Sequence, residues 1–326
     1  MASIWRTLRR RILTPDDAET TLGRRGFHRK SAQAQERLET VGRTFLRGYA
    51  AAMQARTPAE VEADLEKLPD WQRGFAYEGA GMGLAVLDGL PFGRSDHVQR
   101  FLRRPLGDSY RYLVYVGIGW AMARLPRFRW PKPHTLDPVL VPLVLDGYGF
   151  HQAYFNTARY VGAQYREAAF PWPGGAHGAY ADKSIDQGIG RALWFVGGTD
   201  PERVADLIEA FPAARRGDLY SGTGLAATYA GGVEEKELRA LLARAAEHRG
   251  ELAQACAFAA DARARAGIVP EHTAAATRVF CGTTPEEVAR IAGELRPSGP
   301  EGDLPAYEVW RRRLATRFVS SGGVNR

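Results

Sequence analysis

The sequence predicts an all-α protein: tandem antiparallel helix pairs of the tetratricopeptide kind, an α-solenoid wound into one compact domain. Three observations predict it. First, a short phrase, G-x-G in an apolar setting, recurs. It reads YEGAGMGLA at 77–85, YVGIGWAMA at 115–123, LDGYGFHQA at 145–153, DQGIGRALW at 186–194 and YSGTGLAAT at 220–228. A degenerate copy, AQACAFAAD at 253–261, carries alanine at both glycine positions. The first small residues fall at 79, 117, 147, 188, 222 and 255, giving spacings of 38, 30, 41, 34 and 33 residues, close to the ~34-residue period of helix-pair repeats. Second, the intervening segments carry helix-start signals and helical periodicity. Third, no convincing run of alternating apolar and polar residues marks a strand.

In chain order, residues 1–30 form a basic N-terminal segment. Within MASIWRTLRRRIL, Ile4, Trp5, Leu8 and Ile12 share one helical face and the arginines mostly another. That is the pattern of a helix lying at an interface, or of a capping helix with solvated arginines. A single helical repeat domain follows over 31–326. Its leading helix, 31–55, presents Leu38, Val41, Phe45, Leu46 and Tyr49 on one side. Thr57-Pro58 opens the next helix, since threonine caps and proline suits the first turn. Pro58 lies 16 residues before Gly74, and Pro201 lies 16 residues before Gly217. The second of these segments, TDPERVADLIEAF, runs Val204, Leu207, Ile208, Phe211 at i, i+3, i+4, i+7. Tyr77 and Tyr220 each follow the glycine by three residues, and Thr284-Pro285 starts a third such helix. Residues 165–187, rich in Pro and Gly, read as an inserted loop that accounts for the 41-residue spacing; loops of that length are often functional. Residues 306–319 form the terminal helix.

Bulk properties exclude several classes. Of the net charge of +7, residues 1–30 carry +5, from eight Lys/Arg against three acids, so the body is nearly neutral and no nucleic-acid partner is expected. Two cysteines, Cys256 and Cys281, without a C-x-x-C, point to a reducing compartment and exclude a disulfide scaffold or structural zinc. The seven histidines show no H-x-x-x-H, so no metal site is expected. No signal-type apolar region opens the chain, and YLVYVGIGWAMARL at 112–125 is too short to span a bilayer. A cytoplasmic protein is expected, with membrane-surface contact through the N-terminal helix left open. Cofactor use is left open as well.

The glycines do not read as a phosphate cradle. A dinucleotide fingerprint needs a third glycine, where this chain has Met122, Gln152, Leu193 and Ala227. The row that does hold is i, i+4: Gly79/Gly83, Gly117/Ala121, Gly147/His151, Gly188/Ala192, Gly222/Ala226, Ala255/Ala259. Small residues four apart share a helix face and admit a close neighbour. Each glycine costs ~1 kcal/mol of helix propensity relative to alanine, so a packing gain must offset it. His151 interrupts this row, either as a satisfied core histidine or as a site residue; Asp146, Gln152 and Asn156 lie within two turns of it. A second row, the residue before each first small position, is Glu78, Val116, Asp146, Gln187, Ser221 and Gln254. It either lines a concave channel or forms a solvated helix edge. The candidate catalytic residues are His151 with Asp146 as a general-base pair and Tyr220 as a hydrogen-bond donor; the candidate binding residues are Glu78, Gln187, Gln152, Asn156 and Ser221. His177 and the run Asp182–Asp186 in the inserted loop either reach a channel mouth or form a polar surface. Trp71, Trp120, Trp194 and Trp310 read as core.

The phrases WQRGFAYEGAGMGLAVLDG, YVGIGWAMARLP, DGYGFHQAYFN and YSGTGLAATYAGG resemble the actinobacterial UnbL-like family of enediyne biosynthesis proteins, over roughly residues 25–320. The resemblance implies a role beside an iterative polyketide synthase, helping to turn a linear polyene into the enediyne core, with other proteins of that cassette as partners. It carries over no catalytic residue. The expectation is therefore a protein that binds or converts a polyene-derived intermediate in a helix-lined cavity; the alternative is a non-catalytic adaptor that holds the synthase or a membrane partner.

Overall fold

The computed structural model describes residues 2–91, 95–132, 135–172 and 176–320. Among these the chain is helical and forms no β-strand. In order the helices are α1 (Ala2–Leu13), α2 (Leu22–Arg25), α3 (Ala32–Gln54), α4 (Pro58–Leu65), α5 (Asp70–Gly89), α6 (His97–Leu102), α7 (Pro105–Ser109), α8 (Arg111–Met122), α9 (Val141–Phe155), α10 (Ala176–Val196), α11 (Pro201–Glu209), α12 (Ala213–Ala230), α13 (Glu235–Ala245), α14 (Arg249–Arg265), α15 (Glu271–Phe280), α16 (Pro285–Glu294) and α17 (Ala306–Ser320). The expected starts hold: Thr57, Asp200 and Thr284 cap α4, α11 and α16, each followed by proline at the first position.

The helices form two layers. The long ones, α3, α5, α8, α9, α10, α12, α14 and α17, pack each against the next; the short ones run outside, with α13 touching both α11 and α15. The inner row curls until it meets itself. Arg37 Nε on α3 donates to the Ala230 carbonyl at the end of α12 (2.8 Å), and Lys30 Nζ reaches the Gly232 carbonyl (3.2 Å). Farther along, the Tyr112 hydroxyl on α8 donates to Asp261 on α14 (2.8 Å), and Tyr180 on α10 donates to Glu308 on α17 (2.7 Å). The result is one turn of a solenoid-like superhelix whose interior is filled by its own side chains. The segment after α1 joins this body, with Leu22 and Phe27 buried in the core.

The G-x-G pairs explain the curl. A Cβ placed at Gly79, Gly117, Gly147, Gly188 or Gly222 would lie 1.8–2.1 Å from a carbonyl oxygen of the preceding inner helix. From Gly117 onward all four of these carbonyls belong to the same repeat position, Glu78, Val116, Asp146 and Gln187. The second glycine of each pair faces the other way: Gly119, Gly149 and Gly190 would place a Cβ 1.9–2.2 Å from carbonyls of the following inner helix. Two residues turn ~200° about a helix axis, so one G-x-G serves both neighbours at once. The i, i+4 row anticipated from sequence is thus half of the device; the i, i+2 pair is the repeating unit.

One expected boundary is corrected. The loop over 165–187 is shorter, because α10 begins at Ala176. Tyr180, Ala181, Ser184 and Gln187 are buried at helical spacing, and Asp186, although acidic, sits in a buried fork from Arg215 (Nη2–Oδ1 2.6 Å) with Arg166 on its other oxygen. The polar run Asp182–Asp186 read as loop because its partners lie far away in sequence. The side chain of His177 lies outside the described residues.

Candidate functional site

Inside the ring of α3, α5, α8, α9, α10 and α12 lies a cavity of about 60 Å³, all six helices contributing to its wall. That volume is several times the minimum for one water. The wall is almost entirely carbon, from residues such as Phe45, Met82, Trp120, Phe150, Phe195 and Leu225. Pro15 and Thr20, from the segment after α1, complete it. A second apolar cavity of about 30 Å³ lies among α8, α9, α10, α12, α14 and α17. Both cavities share Arg191, Leu225 and Tyr229, which stand between them as a septum.

The centre of that septum is ionic. Arg191 Nη1 donates to Asp146 Oδ1 at 2.5 Å, and Nη2 lies 3.5 Å from Glu78 Oε2, all three side chains being buried. Burial works against the Arg191 charge, but Asp146 and Glu78 outweigh it and hold the guanidinium protonated. Burial raises the Glu78 carboxyl to about 7, with Arg191 opposing and Asp146 adding to the rise. Burial raises Asp146 too, against the pull of Arg191. Two carboxyls against one guanidinium leave Glu78 poised between its charged and neutral forms near neutrality. A second buried polar cluster lies farther along the interior. Arg311 on α17 donates to Tyr180, Glu308 and Gln254, and Gln187 donates to Asp218 and to the Tyr180 hydroxyl.

Four residues that line the first cavity each carry a buried polar atom with no hydrogen-bond partner of ordinary geometry: Trp120 Nε1, His151 Nδ1, Arg191 Nε and Tyr229 Oη, the last lying against Gly74. The Trp120 indole still lies near enough to Glu78 to favour its charged form. Buried polar atoms are nearly always paired, because an unmade bond costs roughly 1–3 kcal/mol. Those of His151, Arg191 and Tyr229 are free to meet a polar atom of water or of a bound molecule.

His151 stands on this wall, edge-on to Trp120 (ring centroids 5.5 Å) and against Phe155 (4.8 Å). Burial, and then the positive charge of Arg124, lower its pKa to about 3, so the ring is neutral at pH 7. It is a hydrogen-bonding group there and a weak base. The expected base pair with Asp146 is not formed: Asp146 is committed to Arg191, and five helical positions turn the two side chains well apart.

The polar row is not a solvated edge: Glu78, Asp146, Gln187, Ser221 and Gln254 are all buried. Of these, only Glu78 lines the first cavity. Ser221 donates to Gln254 (3.0 Å), which ties α12 to α14. Gln152 and Asn156 stand apart from His151, in a ladder along α9 from Asn156 to Gln152 to the Tyr148 hydroxyl. Tyr220 is also away from both cavities. Its ring stacks on His248 and its hydroxyl donates to the Arg244 carbonyl (3.3 Å). The same repeat position holds Tyr77, bonded to Glu66, and Tyr115, which accepts from the Asp137 amide. These tyrosines fasten the inner layer to segments outside it.

Arg191 was visible as a signal that the sequence reading passed over. Three residues after each first small position come Met82, Trp120, Phe150, Arg191, Leu225 and Phe258. Every one lines a cavity, and one alone is charged.

A family described as Protein of unknown function (DUF1702) matches residues 4–318. The chain belongs to that family. No curated protein and no solved structure matches it. Nor is any helix among the described residues long and apolar enough to cross a membrane, and no group of three or more His, Cys, Asp or Glu side chains there is placed to hold a metal.

Proposed function

We propose that this DUF1702 chain is an enediyne biosynthesis protein that holds a linear, polyene-derived intermediate in the cavity ringed by its inner helices. The observation that carries the reading is the cavity itself: an apolar space whose lining residues include His151, Arg191 and Tyr229, each with a buried polar atom that has no hydrogen-bond partner. Apolar walls with a few placed polar groups suit a mostly hydrocarbon ligand bearing one or two oxygen atoms. Trp120 and Arg191 offer donors, Tyr229 offers a hydroxyl, and neutral His151 offers a ring nitrogen, so the polar end of the ligand sits at the septum. Rearrangement of Leu225 and Tyr229 joins the two cavities and admits a longer chain. Enclosure keeps a conjugated chain from water and oxygen, which is a service whether or not a bond is made there.

A titration with a synthetic conjugated polyene tests this. Saturable binding at one equivalent, read as a shifted and sharpened absorption band, is the expected result. Leu225→Trp, which fills the space, should abolish the shift while the protein still melts cooperatively. Absence of a saturable shift with the wild-type chain removes the reading. The pathway assignment has its own test: His151→Ala in an enediyne-producing strain should lower product titre at unchanged protein level.

A further inference from the structure

The helix α1 is oriented against the usual rule. Its apolar residues face outward: Ile4, Leu8 and Ile12, one turn apart, are 72%, 42% and 68% exposed. Apart from Leu13 at its end, which packs on the core, its hold on the body is polar. Arg9 donates through Nε to the Met53 carbonyl (2.8 Å) and Arg10 donates to Gln54 (2.7 Å), both at the end of α3. Residues 2–13 contain four arginines and no acid. Among the described residues none of these four pairs with a carboxylate, so their charge is uncompensated. Isolated exposed apolar residues are ordinary, but a continuous exposed stripe flanked by arginines is the signature of a helix that lies in a bilayer surface.

A second patch shares this end of the molecule. Gly83 near the end of α5 packs on Ala52 and Tyr49 of α3, and Gly89 packs on Leu125 just after α8. The C-terminal ends of α3, α5 and α8 therefore lie together. The turn that leaves α8 there carries Phe128, which is 82% exposed and the most exposed large apolar side chain described, between Arg127 and Arg129. The chain that leaves α1 goes directly to Pro15 and Thr20 in the cavity wall.

We infer that this end docks on an anionic lipid bilayer, α1 lying in its surface with Ile4, Leu8 and Ile12 turned to the acyl chains and Phe128 inserting beside it. Arg6 and Arg11 face lipid phosphate while Arg9 and Arg10 hold the helix to the body, and the positive charge of the helix strengthens attachment to an anionic surface. Docking brings the part of the cavity wall formed by Pro15 and Thr20 toward the bilayer, from which an apolar molecule can enter without crossing water. The docking claim stands on the exposed surface alone and is independent of what the cavity holds.

Cosedimentation of the full chain with vesicles tests it, using phosphatidylcholine alone and phosphatidylcholine mixed with phosphatidylglycerol. The wild-type chain should pellet with the mixed vesicles and be released by high salt. The variant Ile4→Glu/Leu8→Glu/Ile12→Glu should bind about tenfold or more weakly with an unchanged melting temperature, since those side chains are exposed. Phe128→Glu should weaken binding through an independent site. Three results overturn the proposal: no vesicle binding by the wild type, equal binding by the triple variant, or a soluble oligomer that the triple variant dissolves. The last would assign the stripe to a second copy of the chain.

Discussion

Replacing Gly222 by alanine isolates the packing device on which the ring depends. The new Cβ would lie 1.8 Å from the Gln187 carbonyl oxygen and 2.7 Å from the Arg191 amide nitrogen. Ordinary contact begins near 3.4 Å, so α12 would have to retreat from α10 by more than an ångström. Both obstructing atoms are backbone, so no side-chain rotation relieves the clash. Overpacking of this kind costs about 1–3 kcal/mol and more when neighbours cannot yield. Against it stands the ~1 kcal/mol that alanine gains over glycine within a helix. The expected net effect is a loss of about 2 kcal/mol. Gly293 in α16 supplies the control. Nothing lies within 4 Å of its would-be Cβ, so Gly293→Ala should stabilise by about 0.5–1 kcal/mol. Urea unfolding at equilibrium measures both. If Gly222→Ala equals or exceeds the wild type in stability, the close-approach account of the G-x-G repeat is wrong.

Arg191→Met leaves Asp146 and Glu78 buried without their cation and should cost about 3–5 kcal/mol; adding Asp146→Leu should restore much of it, as a double-mutant cycle by urea unfolding would show. His151 has a folded pKa of about 3 against ~6.5 in the unfolded chain, so the unfolded state binds the extra proton and the stability present above 6.5 is lost as pH falls. His151→Phe removes this dependence, so between about pH 7 and pH 5 the wild type should lose about 2 kcal/mol relative to the variant. Tyr220→Phe deletes a single hydroxyl bonded to a carbonyl outside the cavities; calorimetry should show a loss of no more than about 1 kcal/mol and polyene binding should be unchanged.

Much of the fold was legible because it is repetitive. A capped start such as Thr57-Pro58 is a local signal, and six copies of one phrase gave the spacing of the inner helices. Closure of the ring was not legible, because curvature comes from backbone contacts between helices, for which G-x-G shows the capacity but not the angle. The site divides the same way. His151 and the buried row through Glu78 and Asp146 emerged by comparing copies. The His151–Asp146 pairing failed because nearness in sequence was taken for nearness of side chains, five positions apart on a helix. Tyr220 failed because a row was considered only for what might face inward; Tyr77 and Tyr115 at the same position point to the outer layer. Arg191 was overlooked within a phrase quoted for its glycines, and Arg311 comes from a helix outside the repeat.

The two-faced glycine pair also separates the frame from the lumen. Backbone touches backbone on both sides of α5, α8, α9 and α10, so the calibre of that part of the ring is set by main-chain atoms. Each of the repeat helices then furnishes the lumen with, among others, the residue three beyond its first small position. Exchanging Met82, Phe150 or Leu225 for larger or smaller side chains changes the bore at that level and leaves the neighbouring helices in register. A scaffold of this kind can be refitted for a longer, shorter or bent hydrocarbon one rung at a time.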